Sequence, residues 1–456
     1  MSWAGGELCT CYLPDLRLDH RLVSMVNAFT EHPEASCTEA LGTAGTKAAY
    51  RFWDNERILP ADVLRPHAEQ TAQRCQQYPV VLVAQDTTET NLTNHPATKG
   101  MGYLGSPDCR GLLLHTLLAI SPTGVPLGVL RQFTWVRPLE QLGKRHRRRK
   151  TPLEEKESQR WLDGMAAAAE GLPRHPHVVL MGDRESDLFD LFAAPRPAHI
   201  DLLVRVCREN RRVEHRTKYL DKALQSESVR GHVQIEIPAR ANRLGRTATM
   251  AVRWLSLEVH APCHGPKRPS VGLNFILVEE LNAPHGEKPV RWLLATTLPV
   301  ESLEDALRCV QWYAYRWTIE RFHFVLKSGC KIEERQLETV ERMERAIPVF
   351  SIVAWRLLWL TLQARETPDV SCTMILEEFE WKPLWIIVHA RTRRTPLPSE
   401  PPTLREAVRM IARLGGFLGR KCDGEPGPQT LWRGLRRLND LSQGWLLGQQ
   451  QNLAVS

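Results

Sequence analysis

The chain has 456 residues, of which 43% are hydrophobic, enough for a substantial core and for two to four domains. Its 60 Lys and Arg outnumber its 52 Asp and Glu, and the resulting net charge of +8 favours a polyanionic partner. The 11 cysteines have no repeating spacing and the 16 histidines no ligand spacing, which argues against a disulfide framework and a zinc site; no apolar run approaches a membrane span, and MSWAGGELCTCYL lacks a secretory pattern, so the expectation is a cytoplasmic protein without a membrane partner.

Residues 1 to about 70 read as helical, because Leu18, Leu22, Val23, Val26 and Phe29 recur at helical spacing. Residues 42–55, GTAGTKAAYRFWDN, read as a turn entering a helix. They place Lys47 and Arg51 among aromatics, which suits a DNA groove and equally a helical packing domain. Residues 80–84 are a continuous apolar run that ends in Gln85-Asp86, the pattern of a buried strand. Residues 112–120 and 125–136 flank Ser121-Pro122-Thr123-Gly124 and predict a hairpin. A dense basic run occupies residues 144–150; it reads either as a solvated loop or as one that contacts phosphate. Residues 154–170 predict a helix, and residues 178–181 a second buried strand that ends in Gly182-Asp183. Both buried strands thus deliver an aspartate at a C-terminal end. That edge binds ligands in α/β sheets, although Asp there also caps helices.

Residues 198–298 change character. The segments 200–206, 233–237, 249–259 and 271–278 are short, β-branched and separated by Gly, Pro and basic turns, which predicts a β-rich insertion with Trp292 in its last strand. Next comes YAYRWTIERFHFVLK. Read as one helix turning about 100° per residue, Arg316, Glu320 and Lys327 fall roughly −60°, −20° and −40° from Tyr313. The four polar side chains then share one wedge, and Trp312, Ile319, Phe322 and Val325 take the opposite faces. A carboxylate can hold a metal and the basic groups a phosphate, but a solvated charged face has the same spacing. Residues 340–364 predict another helix. A Pro-rich linker at 393–403 precedes a helical C-terminal module, with helices at 404–414 and 431–441. Should Asp86, Asp183 and Glu320 converge, they would form a ligand set for two hard divalent cations about 4 Å apart.

These motifs resemble the bacterial DDE transposases of the IS-four family, Tn-five type, over nearly the whole chain. The family signature Tyr-x2-Arg-x3-Glu-x6-Lys is met by Tyr313, Arg316, Glu320 and Lys327. Its two strand-end motifs are met by Asp86-Thr87-Thr88 and Asp183-Arg184-Glu185. GTAGTKAAYRFWDN resembles the transposon-end-binding segment, with Lys47, Tyr50, Arg51 and Phe52, and GRKCDGEPGPQTLWRGLRRL resembles the dimerisation module. The resemblance implies an α/β, RNase H-like catalytic core interrupted by a β-strand-rich insertion, between helical DNA-binding and dimerisation modules. The expected division is residues 1–70 for end binding, 71–365 for the core with its insertion at 198–298, and 366–456 for dimerisation.

The resemblance also implies a reaction. A homodimer cuts double-stranded DNA at transposon inverted-repeat ends through a hairpin intermediate, then joins the 3′-OH ends to target DNA. Asp86, Asp183 and Glu320 would be catalytic and would hold two Mg²⁺, with Mn²⁺ as a substitute. Trp292 would stack on a base extruded from the hairpin tip. Tyr313, Arg316, Lys327, Arg184 and Arg205 would contact DNA, as would Lys47, Tyr50 and Arg51 in the end-binding segment. Two departures stand out. Phe324 replaces a lysine carried by some relatives, and the run 144–150 is more basic than usual. The rival readings are an RNase H-like two-metal nuclease without strand transfer, and an inactive DNA-binding transposition inhibitor.

Overall fold

The N-terminal helices form where the spacing places them, and short polar residues start them. Ser2, Asp15 and Ser36 each accept a backbone N–H at the heads of α1 (Trp3–Glu7), α2 (Leu16–Glu31) and α3 (Cys37–Trp53). Gly42 breaks α3 at φ 65°, so the 42–55 segment does enter a helix from a turn. α4 (Pro60–Cys75) follows. The computed structural model describes residues 2–143, 152–237, 245–263, 268–390 and 396–455. The basic run 144–150 lies outside the described residues.

The chain divides into two compact units: Met1–Cys75, Thr87–Arg145 and Thr318–Ser456 form the first, and Gln76–Asp86 with His146–Trp317 the second. Strand β1 (Val81–Asn91) belongs to both, its first six residues to the second unit and the rest to the first.

In the first unit, the end of β1 is followed by β2 (Gly102–Tyr103), β3 (Arg110–Ile120) and β4 (Pro126–Trp135). β3 and β4 are the expected antiparallel hairpin around Ser121–Val125. One buried network fastens the N-terminal helices to this hairpin. The amide of Val129 can only donate, so His67 Nε2 accepts from it at 2.9 Å. His67 Nδ1 is then the donor to Glu7 at 2.6 Å, and Arg74 clamps Glu7 through two bonds of 2.9 Å.

The second unit contains the start of β1, then α5 (Arg160–Gly171), β5 (Val178–Gly182), α6 (Phe189–Ala193), β6 (Ile200–Arg205), α7 (Leu220–Ser226), β7 (Gly231–Ile237), β8 (Arg246–Val259), β9 (Val271–Glu280), β10 (Arg291–Thr296) and α8 (Leu303–Ala314). Its strands run in the order β1-β5-β6-β10-β9-β8-β7. β1, β5 and β6 are parallel; β10 turns antiparallel against β6, and β9, β8 and β7 follow antiparallel. The fold is α/β, an RNase H-like core with a β-rich insertion and helical N- and C-terminal regions. β6 belongs with the parallel strands, so grouping residues 200–206 with the insertion was incorrect. Its Leu-Leu-Val run is buried between two neighbouring strands, which is why it resembled the short insertion strands. The helix expected at 154–170 begins only at Arg160, after two short 3₁₀ turns.

Helix α9 (Trp317–Phe324) carries the chain back into the first unit. There α10 (Val340–Glu366) is the one described helix long and apolar enough to cross a membrane, and 83% of its apolar window is buried inside the protein, as in a core helix. α11 (Glu378–His389), α12 (Leu404–Leu414) and α13 (Pro428–Val455) complete the unit. α12 and α13 touch backbone to backbone, since a Cβ on Gly434 would lie 1.8 Å from the Ile411 carbonyl oxygen.

Replacing His67 by Leu leaves the Val129 N–H unpaired and removes a partner from Glu7. The expected loss is roughly 2–3 kcal/mol of stability, read by chemical denaturation. Burial holds the His67 pKa below its ordinary value. The wild type should therefore lose stability as pH falls below the ordinary imidazole range, and His67→Leu should flatten that dependence.

Candidate active site

Strand register sets the levels of the candidate residues. Val81, Leu82, Val83 and Ala84 of β1 pair with Val178, Val179, Leu180 and Met181 of β5. Continuing two residues sets Asp86 level with Asp183. β5 pairs onward with β6, ending at Gly182 opposite Val204, so the next level sets Asp183 beside Arg205. Asp86, Asp183 and Arg205 therefore form one row across three parallel strands about 4.8 Å apart. Arg205 also pairs with Leu294 of β10, and Trp292 lies two residues further along β10, just past the row.

The turn after β5 holds Asp183 in place. Its carboxylate accepts the Glu185 amide at 2.8 Å, and its carbonyl accepts Ser186 Oγ at 2.6 Å. Gly182 lets Ser186 fold back so closely, because a Cβ there would sit 2.2 Å from Ser186 Oγ. Glu185 is tied to Arg160 of α5 at 2.5 Å. Asp187, 2% exposed, accepts the amides of Cys207 and Arg208 at 2.9 Å each and pairs with Arg211. The Arg160–Glu185 and Arg211–Asp187 pairs were not legible in the sequence, since each joins residues more than 20 apart with no motif between them.

The 313–327 stripe is not one helix. α8 ends at Ala314, and the amides of Tyr315 and Arg316 bond three residues back, to Trp312 and Tyr313. That tighter winding changes the phase, and after α9 a π-helical turn, Val325–Gly329, changes it again. The shared wedge is therefore a correction to the sequence reading. So is the solvated face, because Tyr313 is 2% exposed and Arg316 7%. Burial pushes the Tyr313 phenol up to about 12, leaving it a proton donor at neutral pH. Its ring meets Trp292 edge-on at 6.2 Å, and the Arg316 guanidinium lies 5.9 Å from its centre.

The electrostatics of this row are strained in a particular direction. Burial raises the Asp183 pKa and the nearby Asp86 charge raises it further, against the Glu185 amide and Arg316, which lower it. Burial lowers the Arg205 pKa, as do the neighbouring charges of Arg184 and Arg316. Two crowded carboxylates favour a cation, and three crowded guanidinium groups favour an anion. The carboxylate oxygens suit a hard cation such as Mg²⁺ or Mn²⁺. Among the described residues, no three His, Cys, Asp or Glu side chains are grouped to hold a metal.

The second unit thus brings together Asp86, Asp183, Arg184, Arg205, Trp292, Tyr313 and Arg316. Glu320, Lys327, Lys47, Tyr50 and Arg51 belong to the first unit. Glu320 is half-buried on α9. Lys327, in the π-helical turn, donates to the Glu89 carbonyl and pairs with Glu333 at 3.2 Å. Phe324 packs against Trp432 of α13 at 6.1 Å, and that ring lies 2.9 Å from where a Gly329 Cβ would be. In place of a lysine, this chain therefore has a packing contact. On α3, Lys47 and Arg51 are exposed, and Tyr50 meets Trp53 edge-on at 6.0 Å.

β1 runs on to Asn91, so Asp86 lies within its strand and not at the expected end, and only Asp183 follows a strand end. An RNase H-like core with aspartates level on adjacent parallel strands, beside buried basic and aromatic groups, is the architecture of a DDE-type transposase. Family models match along the chain: transposase DNA-binding over residues 1–58, transposase DDE domain over 157–350, and transposase Tn5 dimerisation domain over 352–448. The chain belongs to the Tn5-type DDE transposases, proteins of DNA transposition. Asp86 lies outside the matched residues, and its place in the site rests on strand register.

Neutralising one of two crowded carboxylates should stabilise the metal-free fold. Asp86→Asn is expected to add about 1 kcal/mol, measured by thermal melting in a chelator. An unchanged or lowered melting temperature would mean that Asp86 and Asp183 do not repel.

Proposed function

We propose that this protein is a cut-and-paste transposase that cleaves double-stranded DNA at transposon inverted-repeat ends through a hairpin, then transfers the 3′-OH ends into target DNA. The observation that carries this reading is the row Asp86–Asp183–Arg205 with Tyr313, Arg316 and Trp292 beside it. Asp86, Asp183 and Glu320 would hold two Mg²⁺, or Mn²⁺ in its place. When bound, these cations activate the attacking oxygen and stabilise the leaving 3′ oxygen.

The chain's own residues divide the remaining work. Arg205, Arg316 and Arg184 neutralise the phosphate, the first two from partly or wholly buried positions where charge is weakly screened. Tyr313 donates its phenolic proton as a hydrogen bond to a phosphate oxygen. Lys327 reaches DNA by exchanging its Glu333 partner for a phosphate. A hairpin loses base stacking at its tip, and Trp292, half-buried and braced by Tyr313, offers a ring to an extruded base. Lys47, Tyr50 and Arg51 read or grip the transposon end from α3. The working unit is a homodimer assembled through the C-terminal helices, acting in the cytoplasm.

Glu320→Ala should reduce end cleavage more than about 100-fold and leave end binding intact; normal cleavage by this variant would remove Glu320 from the mechanism. Trp292→Ala should slow the hairpin step by roughly 5- to 150-fold, the equivalent of about 1–3 kcal/mol of stacking, with the first nick much less affected. Equal slowing of both steps in a gel time course would assign Trp292 to core packing instead.

A further inference from the structure

The loop that follows β6 holds a second concentration of positive charge. Arg208, Asn210, Arg211, Arg212, His260 and Cys263, together with the apolar Phe189, Ala261 and Pro262, line an open pocket of about 170 Å³ in the second unit. Among the described residues, no carboxylate lines it. Nearby acidic groups are committed elsewhere: Glu209 pairs with Arg291 at 2.6 Å, Asp187 takes two backbone amides as well as Arg211, and Asp190 pairs with Arg268 at 2.5 Å.

Two further features point to an anion. The Arg211 side chain is only 8% exposed, and its buried Nε has no hydrogen-bond partner among the described residues. Arg212 donates to Cys263 Sγ at 3.1 Å, a weak acceptor for a guanidinium group. Burial lowers the Arg211 pKa despite Asp187, and the Arg208 charge lowers it further. An anion between these groups would relieve their repulsion. The volume falls below the roughly 300–1,000 Å³ of pockets that enclose small-molecule ligands. It suits a single tetrahedral group presented from a larger body.

We propose that this pocket seats a backbone phosphate of double-stranded DNA, separate from the phosphate facing Asp86 and Asp183. Arg208 and Arg212 reach the phosphate from exposed positions, and Arg211 receives it at the pocket wall. Asp187 bonds to the amides of Cys207 and Arg208 and follows the Asp183 turn by one residue, so a seated phosphate would also brace that turn. The source of the phosphate, transposon end or target, rests on the transposase reading; the pocket's preference for an anion does not.

The test uses the full-length protein and an Arg208→Gln/Arg212→Gln double variant, whose altered residues are exposed. Cys263 is an exposed free thiol in the pocket, and Cys422 is an exposed free thiol elsewhere. Iodoacetamide labelling of each is followed by peptide mass spectrometry, with inverted-repeat duplex, unrelated duplex or no DNA. DNA should slow Cys263 labelling at least about 5-fold in the wild type, not in the double variant, and leave Cys422 unaffected. The salt dependence of binding to the protecting DNA should lose a slope of about 1–2 in the double variant. Protection by the inverted repeat alone assigns the phosphate to the transposon end; equal protection by unrelated duplex assigns it to target DNA. Arg208→Lys/Arg212→Lys should restore protection. No protection, or protection that persists in the double variant with an unchanged salt slope, overturns the proposal. Normal cleavage by Glu320→Ala would sink the catalytic reading and leave this result standing.

Discussion

The parallel register of β1, β5 and β6 is the constraint on which the site depends. Four buried pairs between Val81–Ala84 and Val178–Met181 fix the level at which each strand emerges from the core. Both faces of these runs are buried, so a slip of one residue would move every side chain to the opposite packed face and mismatch its neighbours, and packing holds the register firmly. Asp86, Asp183 and Arg205 sit just beyond that rigid region and inherit its alignment. Two carboxylates that would separate in solution are thereby held side by side. The repulsion is sustained by core packing, and it is the property that favours a divalent cation.

The surroundings of the row reinforce it locally. Gly182 permits the tight return to Ser186, Arg160 steadies Glu185, and Asp187 ties the turn after β5 to the loop after β6. Tyr313, near the end of α8, and Arg316, in the tighter turn that follows, are both buried beside the row. In the first unit, α9 carries Glu320 and is seated on α13 through Phe324, Trp432 and Gly329. The segment matched by the dimerisation model therefore packs directly against the helix bearing the third candidate carboxylate.

Much of this was legible in the residues. The apolar runs before Asp86 and Asp183 announced buried strands, and Ser121–Gly124 announced the hairpin, because both signals are local. The strand beyond Asp86 was not legible, since Thr87-Thr88-Glu89-Thr90-Asn91 lacks the apolar run of the first half. β6 was misplaced because a buried strand reads alike in a core and in an insertion. The stripe at 313–327 was found, but its geometry was wrong: two departures from α-helical winding leave no trace in the pattern of polar residues. α11 was missed altogether, its interior Pro383 masking the helix. The basic pocket after β6 was invisible for a different reason, since His260 and Cys263 reach Arg208–Arg212 only through the fold.

The most direct measurement is a product analysis with the purified wild-type protein, Mg²⁺ and linear DNA carrying its flanking inverted repeats, in the presence of target plasmid. Hairpin-ended fragments are expected to appear and decay, followed by inverted-repeat 3′ ends joined to the plasmid, with no products in chelator. Cut ends without hairpins or joined products would indicate a nuclease, and DNA binding without any cutting would indicate an inhibitor; either result would contradict the account.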